Sequence, residues 1–278
     1  MTLVINSILD IVHKYDAIVF DQWGVLHNGS APYSNAIATI QALSEKQTKL
    51  GILSNSGKRA DPNAARIEAM GFDTSSFNQI MTSGEALWQN VKQGVISEHL
   101  FFPVERNTED SAHWAKGLGI DITYDLNQAQ AILLMGLPDN SVMQDYTDTI
   151  NSWLSRDLPV YCSNPDRNSP RSDGQVLSPG ALAFAYKDLG GHVTFYGKPH
   201  LPIFRSMESA LNESSILMVG DSLEHDISGA HAAGWDSLLI EGGLYRDLFA
   251  AEPDNGTLDK LVQTQGCRAP TYRMKEVQ

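Results

Sequence analysis

The side chains of Asp21, Ser54, Lys198, Asp221 and Asp226 could together handle a phosphate group. Asp21, Asp221 and Asp226 offer hard carboxylate oxygens of the kind that hold Mg2+ beside a phosphate. Ser54 offers a hydroxyl, and the turn around it offers backbone N–H groups, for phosphoryl oxygens. Lys198, fixed between Gly197 and Pro199, offers a positive charge. A carboxylate nucleophile, a divalent cation, a lysine and a hydroxyl suffice for phosphoryl transfer, where a protein mainly positions groups and stabilises developing charge. Each residue alone has a plainer reading. An Asp after an apolar strand is commonly a turn or cap residue, and Ser54-Asn55-Ser56 also reads as a turn or helix cap. A lysine before proline is commonly just exposed. The set gains weight from its order and from the elements that carry it.

Those elements are apolar runs alternating with helical patterns, which predicts an α/β fold with a mostly parallel sheet. Ala17 to Phe20 is a buried-strand run ending at Asp21, and Leu50 to Leu53 is another ending at Ser54. Val193 to Tyr196 runs into Gly197-Lys198-Pro199, and Ile216 to Val219 runs into Gly220-Asp221. Ser237 to Ile240 is the last clear strand. Ligands of open α/β sheets bind at the carboxyl ends of the strands, so these polar ends could converge. Ala36 to Leu43 and Pro62 to Met70 read as helices. Between about Ser83 and Gly191 the chain has its own strands, Ala131 to Met135 and Pro159 to Cys162, and its own helices, Gln144 to Leu154 and Gly180 to Leu189. That length suffices for a separate core. The predicted organisation is a core domain of residues 1–82 and 192–278 with a second α/β domain, 83–191, inserted. The tail after Gly266 shows little periodicity and is expected to pack loosely.

Composition narrows the function. The chain has 278 residues, 42% hydrophobic and 19% charged, as expected of a globular enzyme. A net charge of −13 opposes general binding to nucleic acid or anionic lipid, but not to one phosphorylated small molecule in a local pocket. Cys162 and Cys267 make no disulfide framework and no zinc spacing. No apolar run reads as a signal peptide or membrane span, so a cytoplasmic protein is expected. The sequence leaves monomer or homo-oligomer open.

Taken together, Phe20-Asp21-Gln22-Trp23-Gly24-Val25-Leu26, Leu53-Ser54-Asn55-Ser56, Gly197-Lys198-Pro199 and Gly220-Asp221 to Asp226-Ile227 resemble the four motifs of the haloacid dehalogenase superfamily. Thr82-Ser83-Gly84 and Ser163-Asn164-Pro165-Asp166 resemble its NagD-like branch, whose α/β cap lies between the second and third motifs. The resemblance spans about Tyr15 to Leu244. It implies a doubly wound, Rossmann-like core with an inserted α/β cap, and a Mg2+-dependent phosphatase of a small phosphorylated metabolite. Asp21 would attack phosphorus and form an aspartyl-phosphate. Ser54, Asn55 and Lys198 would bind the phosphoryl group. Asp21, Asp221, Asp226 and the backbone carbonyl of Trp23 would surround the metal. Asn164, Asp166 and Arg167 of the cap would contact substrate.

One position departs from the family. Two residues after the nucleophile its phosphatases carry a second Asp, which protonates the leaving group. Here that residue is Trp23, and an indole does no acid–base work in this pH range. General acid–base catalysis is typically worth about 10²–10⁴-fold. A phospho-ligand-binding protein with little turnover, or a phosphotransferase, is therefore the rival reading. His27, His225 and Asp166 are candidate substitute acids, each with a plain loop or turn reading beside it. Lys58-Arg59, Arg167 and Arg171 could hold anionic groups or simply be surface charge. Trp88, Trp114, Trp153 and Trp235 are expected to be structural.

Overall fold

The computed structural model describes residues 2–171, 174–251 and 255–278, and it divides into two compact units. The first comprises Met1–Ser54, Asp61–Met81 and Lys198–Gln278; the second comprises Asn55–Ala60 and Thr82–Gly197. Residues 55–60, Thr82 and residues 192–197 thus group with the second unit, whereas the sequence reading assigns them to the first. The chain begins with strands β1 (Leu3–Val4), β2 (Ala17–Phe20), β3 (Lys49–Ser54) and β4 (Gln79–Thr82). It continues through β5 (Leu100–Val104), β6 (Asp121–Ile122), β7 (Ala131–Leu134), β8 (Val160–Cys162), β9 (Asn168–Arg171), β10 (Gly174–Leu177) and β11 (Val193–Phe195). It ends with β12 (Ile216–Gly220), β13 (Asp236–Ile240) and β14 (Tyr272–Met274).

The first unit is built on a seven-stranded sheet of order β1-β14-β13-β12-β2-β3-β4. Strands β2 and β12 at its centre are unbroken apolar runs with every residue buried, as a parallel strand covered on both faces requires. On one face Ile18, Phe20, Leu50, Ile52, Leu217 and Val219 pack with Ile40 and Leu43 of helix Ala36–Ser44. Each such fully buried side chain contributes about 1.5–3 kcal/mol of transfer free energy. On the other face helix Leu201–Leu211 approaches β3 so closely that a Cβ on Gly51 would stand 3.1 Å from the Met207 methyl. The doubly wound parallel architecture is as expected.

Two expectations need correction. The tail is not loose: β14 lies between β1 and β13, and Tyr272, Met274 and Val277 are buried. Three residues are too few for a periodic signal, and the parallel pairing that places them is wholly non-local. The strand Val193–Phe195 is also misplaced by the sequence reading. It pairs in parallel with β8, Phe195 opposite Cys162, at one edge of the second unit's sheet. Lys198 therefore follows a strand of the other sheet and is the first residue of the returning chain.

The second unit holds a five-stranded parallel sheet of order β11-β8-β7-β5-β6 and a β9–β10 antiparallel pair. Its own core gathers Ile132, Leu134, Ile150, Trp153, Val160, Cys162, Leu182 and Tyr186. The Tyr186 hydroxyl donates to the Leu158 carbonyl at 2.8 Å. Trp114, Trp153 and Trp235 are buried as expected of structural residues. Trp88 is half-buried, with the Arg59 guanidinium 3.7 Å over its ring. Among the described residues, no helix is long and apolar enough to cross a membrane.

Candidate active site

Strand β2 lies between β12 and β3, with Phe20 opposite both Val219 and Ile52. Its end is therefore flanked by Gly220-Asp221 on one side and by Ser54 on the other. Asp21 continues the ladder by one bond, its N–H donating to the Val219 carbonyl at 2.9 Å. Lys198 is almost fully buried, and its Nζ lies 2.7 Å from Asp21 Oδ1 and 2.7 Å from Asp226 Oδ1. Asp226 is fully buried in the wide turn Leu223–Ile227, and its second oxygen accepts the Ser222 N–H at 3.0 Å. Asp221 accepts the Leu244 N–H at 2.8 Å through Oδ2. Ser54 is half-buried at the end of β3. The first unit thus brings Asp21, Ser54, Lys198, Asp221 and Asp226 to one end of its sheet.

Glycines make this crowding feasible, and the sequence reading did not single them out. Gly24 has φ +83°, and a Cβ there would stand 1.8 Å from Asp221 Oδ2. A Cβ on Gly243 would stand 2.3 Å from the same oxygen, and one on Gly220 would stand 2.2 Å from the Asp226 Cβ. The signal was present for Gly24 and Gly220, which lie on motifs, while Gly243 follows the last clear strand. Its meaning depends on a partner that, for Gly24 and Asp221, is remote in the chain.

Ligand oxygens of Asp21, Asp221 and Asp226 lie within 4.8 Å of one another. Lys198, a cation paired with two of this set, leaves negative charge in excess among the described residues. Burial pushes the Asp221 carboxyl up to about 8, with Asp21 and Asp226 adding to the rise. Burial also raises Asp21, to about 6; the Lys198 ammonium pulls it back and Asp226 pushes it up again. Burial alone would lower Lys198, but the two carboxylates outweigh it and hold the ammonium well above its ordinary value. A buried, hard-oxygen set that resists its own ionisation is matched to a divalent cation. The residues present fit Mg2+.

The candidate acids fare differently. His27 is fully buried; its Nδ1 accepts the Gly29 N–H at 3.0 Å and its Nε2 meets the Arg66 guanidinium at 3.1 Å. Burial first, then Arg66, lowers it to about 4. It is a structural, neutral imidazole and not a substitute acid. His225 is half-buried in the turn that carries Asp226. Trp23 is 45% exposed, and the neighbouring Gln22 is buried with its amide on Asn63.

The remaining candidates belong to the second unit. There Asn55 Nδ2 donates to Asp166 Oδ1 at 2.9 Å, and the Asn164 side chain accepts the Asp166 N–H at 3.0 Å. Arg167 is exposed, its guanidinium 4.0 Å over the Phe184 ring. Arg59 binds Glu85 at 2.6 Å and so serves structure. Lys58 is exposed, and the side chain of Arg171 lies outside the described residues.

Residues 18–125 match a family model described as haloacid dehalogenase-like hydrolase, and residues 195–263 match a second model of haloacid dehalogenase hydrolase-like proteins. The chain is 25% identical over 263 residues to D-glycerol 3-phosphate phosphatase of Mycobacterium tuberculosis, covering 94% of this chain and 70% of that one. It is 24% identical to chronophin of Homo sapiens, covering 86% of each. A solved haloacid dehalogenase-like hydrolase from Brucella suis superposes with a TM-score of 0.79 at 27% identity, covering 99% of this chain and 100% of that one.

Proposed function

The chain belongs to the haloacid dehalogenase superfamily of hydrolases, and from that premise we propose that it is a Mg2+-dependent phosphoric monoester hydrolase of the NagD-like branch. The observation that carries this reading is the Lys198 ammonium clamped between Asp21 and Asp226, with Asp221 within reach. One relative is named as a phosphatase of a small ester, D-glycerol 3-phosphate, and a small phosphorylated metabolite (a sugar, nucleotide or polyol phosphate) is the class we infer.

In this mechanism an Asp21 oxygen attacks phosphorus as the ester P–O bond breaks; the alkoxide departs, takes its proton from solvent, and leaves an aspartyl-phosphate. Lys198 holds the attacking carboxylate in place and offsets charge on the phosphoryl oxygens. Ser54 donates a hydrogen bond to those oxygens. Mg2+, held by Asp21, Asp221, Asp226 and the Trp23 carbonyl, would supply the further positive charge that phosphoryl transfer requires. Water then attacks phosphorus, phosphate leaves and Asp21 is regenerated. The inserted segment 83–191 is the cap in this reading, and its Asn164, Asp166 and Arg167 contact the part of the substrate beyond phosphorus, while Asn55 joins Ser54 on the phosphoryl group.

Trp23 favours a second reading in which the phosphoryl group is held, or passed to an acceptor other than water. The test is phosphate release from a panel of metabolite monoesters, with Mg2+ and with chelator. The hydrolase reading expects release that chelation abolishes. A phosphorylated protein that accumulates without release would establish the second reading instead.

A further inference from the structure

We propose that Gln22 and Asn63 are positioning residues: their buried amide pair fixes the loop 22–27, and through it the Asp21 carboxylate and the Trp23 carbonyl, in the geometry that phosphoryl transfer requires. This rests on the hydrolase reading and deepens it. Both residues stand where their types are uncommon. Gln22 is 2% exposed and Asn63 7% exposed, although Gln and Asn are mostly surface residues. Gln22 comes two residues after the wholly apolar β2. Asn63 lies in helix Ala60–Glu68, one turn before Ile67, which is buried in the core of the first unit. That face of a helix ordinarily takes an apolar residue, and Asn is a weak helix former.

The two uncommon residues meet each other: Gln22 Nε2 donates to Asn63 Oδ1. Stability alone does not call for this pair, because two apolar side chains of similar shape would serve the fold about as well. What an amide hydrogen bond adds is direction. It fixes one distance and one orientation between helix and loop, where an apolar contact tolerates sliding. The same helix also meets the far end of the loop. The Arg66 guanidinium, one turn on from Asn63, lies 3.1 Å from the buried His27 ring.

The backbone carries that direction to the site. The Gln22 carbonyl accepts the Leu26 N–H at 2.8 Å and the His27 N–H at 3.1 Å, and the Gly24 N–H donates to the His27 carbonyl at 2.9 Å. These bonds close the loop around Trp23, whose carbonyl is assigned to the metal. On its other side the Gln22 N–H donates to the Asp21 carboxylate. A shift of Gln22 therefore displaces a hydrogen bond to the nucleophile and the Trp23 carbonyl together. Misplacing a reacting group by about 1 Å can cost about 10²-fold in rate. Supporting contacts of this kind decide whether a site keeps its geometry.

The test compares wild type, Asn63→Leu and the double variant Gln22→Met with Asn63→Leu. Melting temperature, kcat and KM for 4-nitrophenyl phosphate with Mg2+, and amide hydrogen exchange across residues 22–27 are measured on each. Asn63→Leu leaves the Gln22 amide buried without its acceptor; it should lower kcat by about 10-fold or more and leave KM within about 2-fold. Exchange of the Leu26 and His27 amides should quicken. The double variant strands no polar group, so it should recover the melting temperature but not kcat. Should Asn63→Leu not fold, Gln22→Met removes the donor instead and is read the same way. Wild-type kcat in folded Asn63→Leu, or a kcat that returns with the melting temperature in the double variant, overturns the proposal. Absence of wild-type turnover overturns the hydrolase reading instead. The pair is then judged by exchange: quickening confined to residues 22–27 upholds its hold on the loop, and unchanged exchange overturns it.

Discussion

Lys198 sets the electrostatics of the site at the scale of single residues. It is buried and bound to two carboxylates at 2.7 Å, so removing it strands both. Lys198→Met should cost about 3–5 kcal/mol in metal-free protein, the loss expected when one partner of a buried ion pair is removed. Urea unfolding in chelator checks this. The deficit should be smaller at pH 5 than at pH 8, because the stranded carboxylates take up protons as pH falls. A loss below about 1 kcal/mol at pH 8 would mean that the pairing is not the clamp described. The same residues govern metal binding. Asp221 is raised to about 8 and Asp21 to about 6 without metal, so near pH 7 the site holds protons that a cation must displace. Mg2+ affinity should therefore rise with pH toward 8, with proton release visible as buffer-dependent heats in calorimetry. Affinity independent of pH between 6 and 8 would contradict the assigned ligands.

At the scale of elements, strand order does the positioning. The apolar runs Ala17–Phe20, Leu50–Leu53 and Ile216–Val219 within β2, β3 and β12 were legible in the sequence, and so were Asp21, Ser54 and Asp221 at their ends. Periodicity could not say which sheet a run joins. Val193–Phe195 reads the same in either sheet, and only its pairing with β8 places it in the second unit. The strand β14 was illegible for another reason: three residues between two partners remote in sequence leave no local pattern. Its position makes a sharp prediction. Deleting residues 271–278 removes a strand from inside the sheet, and with it Tyr272, Met274, Val277 and the 2.8 Å pairing of Arg273 with Glu241. The truncated chain should lose cooperative unfolding or fail to stay soluble. A melting temperature within a few degrees of the full chain would restore the loose tail that the sequence suggested.

At the scale of the whole molecule, an acidic chain of net charge −13 concentrates three carboxylates and a lysine where one sheet ends. That charge is unfavourable to a phosphate unless a cation intervenes, which is why metal and nucleophile share a residue in this account. The convergence of Asp21, Ser54 and Asp221 was legible because residue type, order and strand ends agreed; the indole at position 23 was legible too, though not its exposed setting. In the proposed mechanism Asp21 forms the bond to phosphorus. It is tested most directly by comparing phosphate release from one activated monoester by wild type and Asp21→Asn, both with Mg2+. The amide keeps the shape of the carboxylate and lacks its nucleophilic charge. Turnover is expected in wild type and none above background in a folded Asp21→Asn protein. Turnover by Asp21→Asn at more than a few per cent of wild type would contradict it.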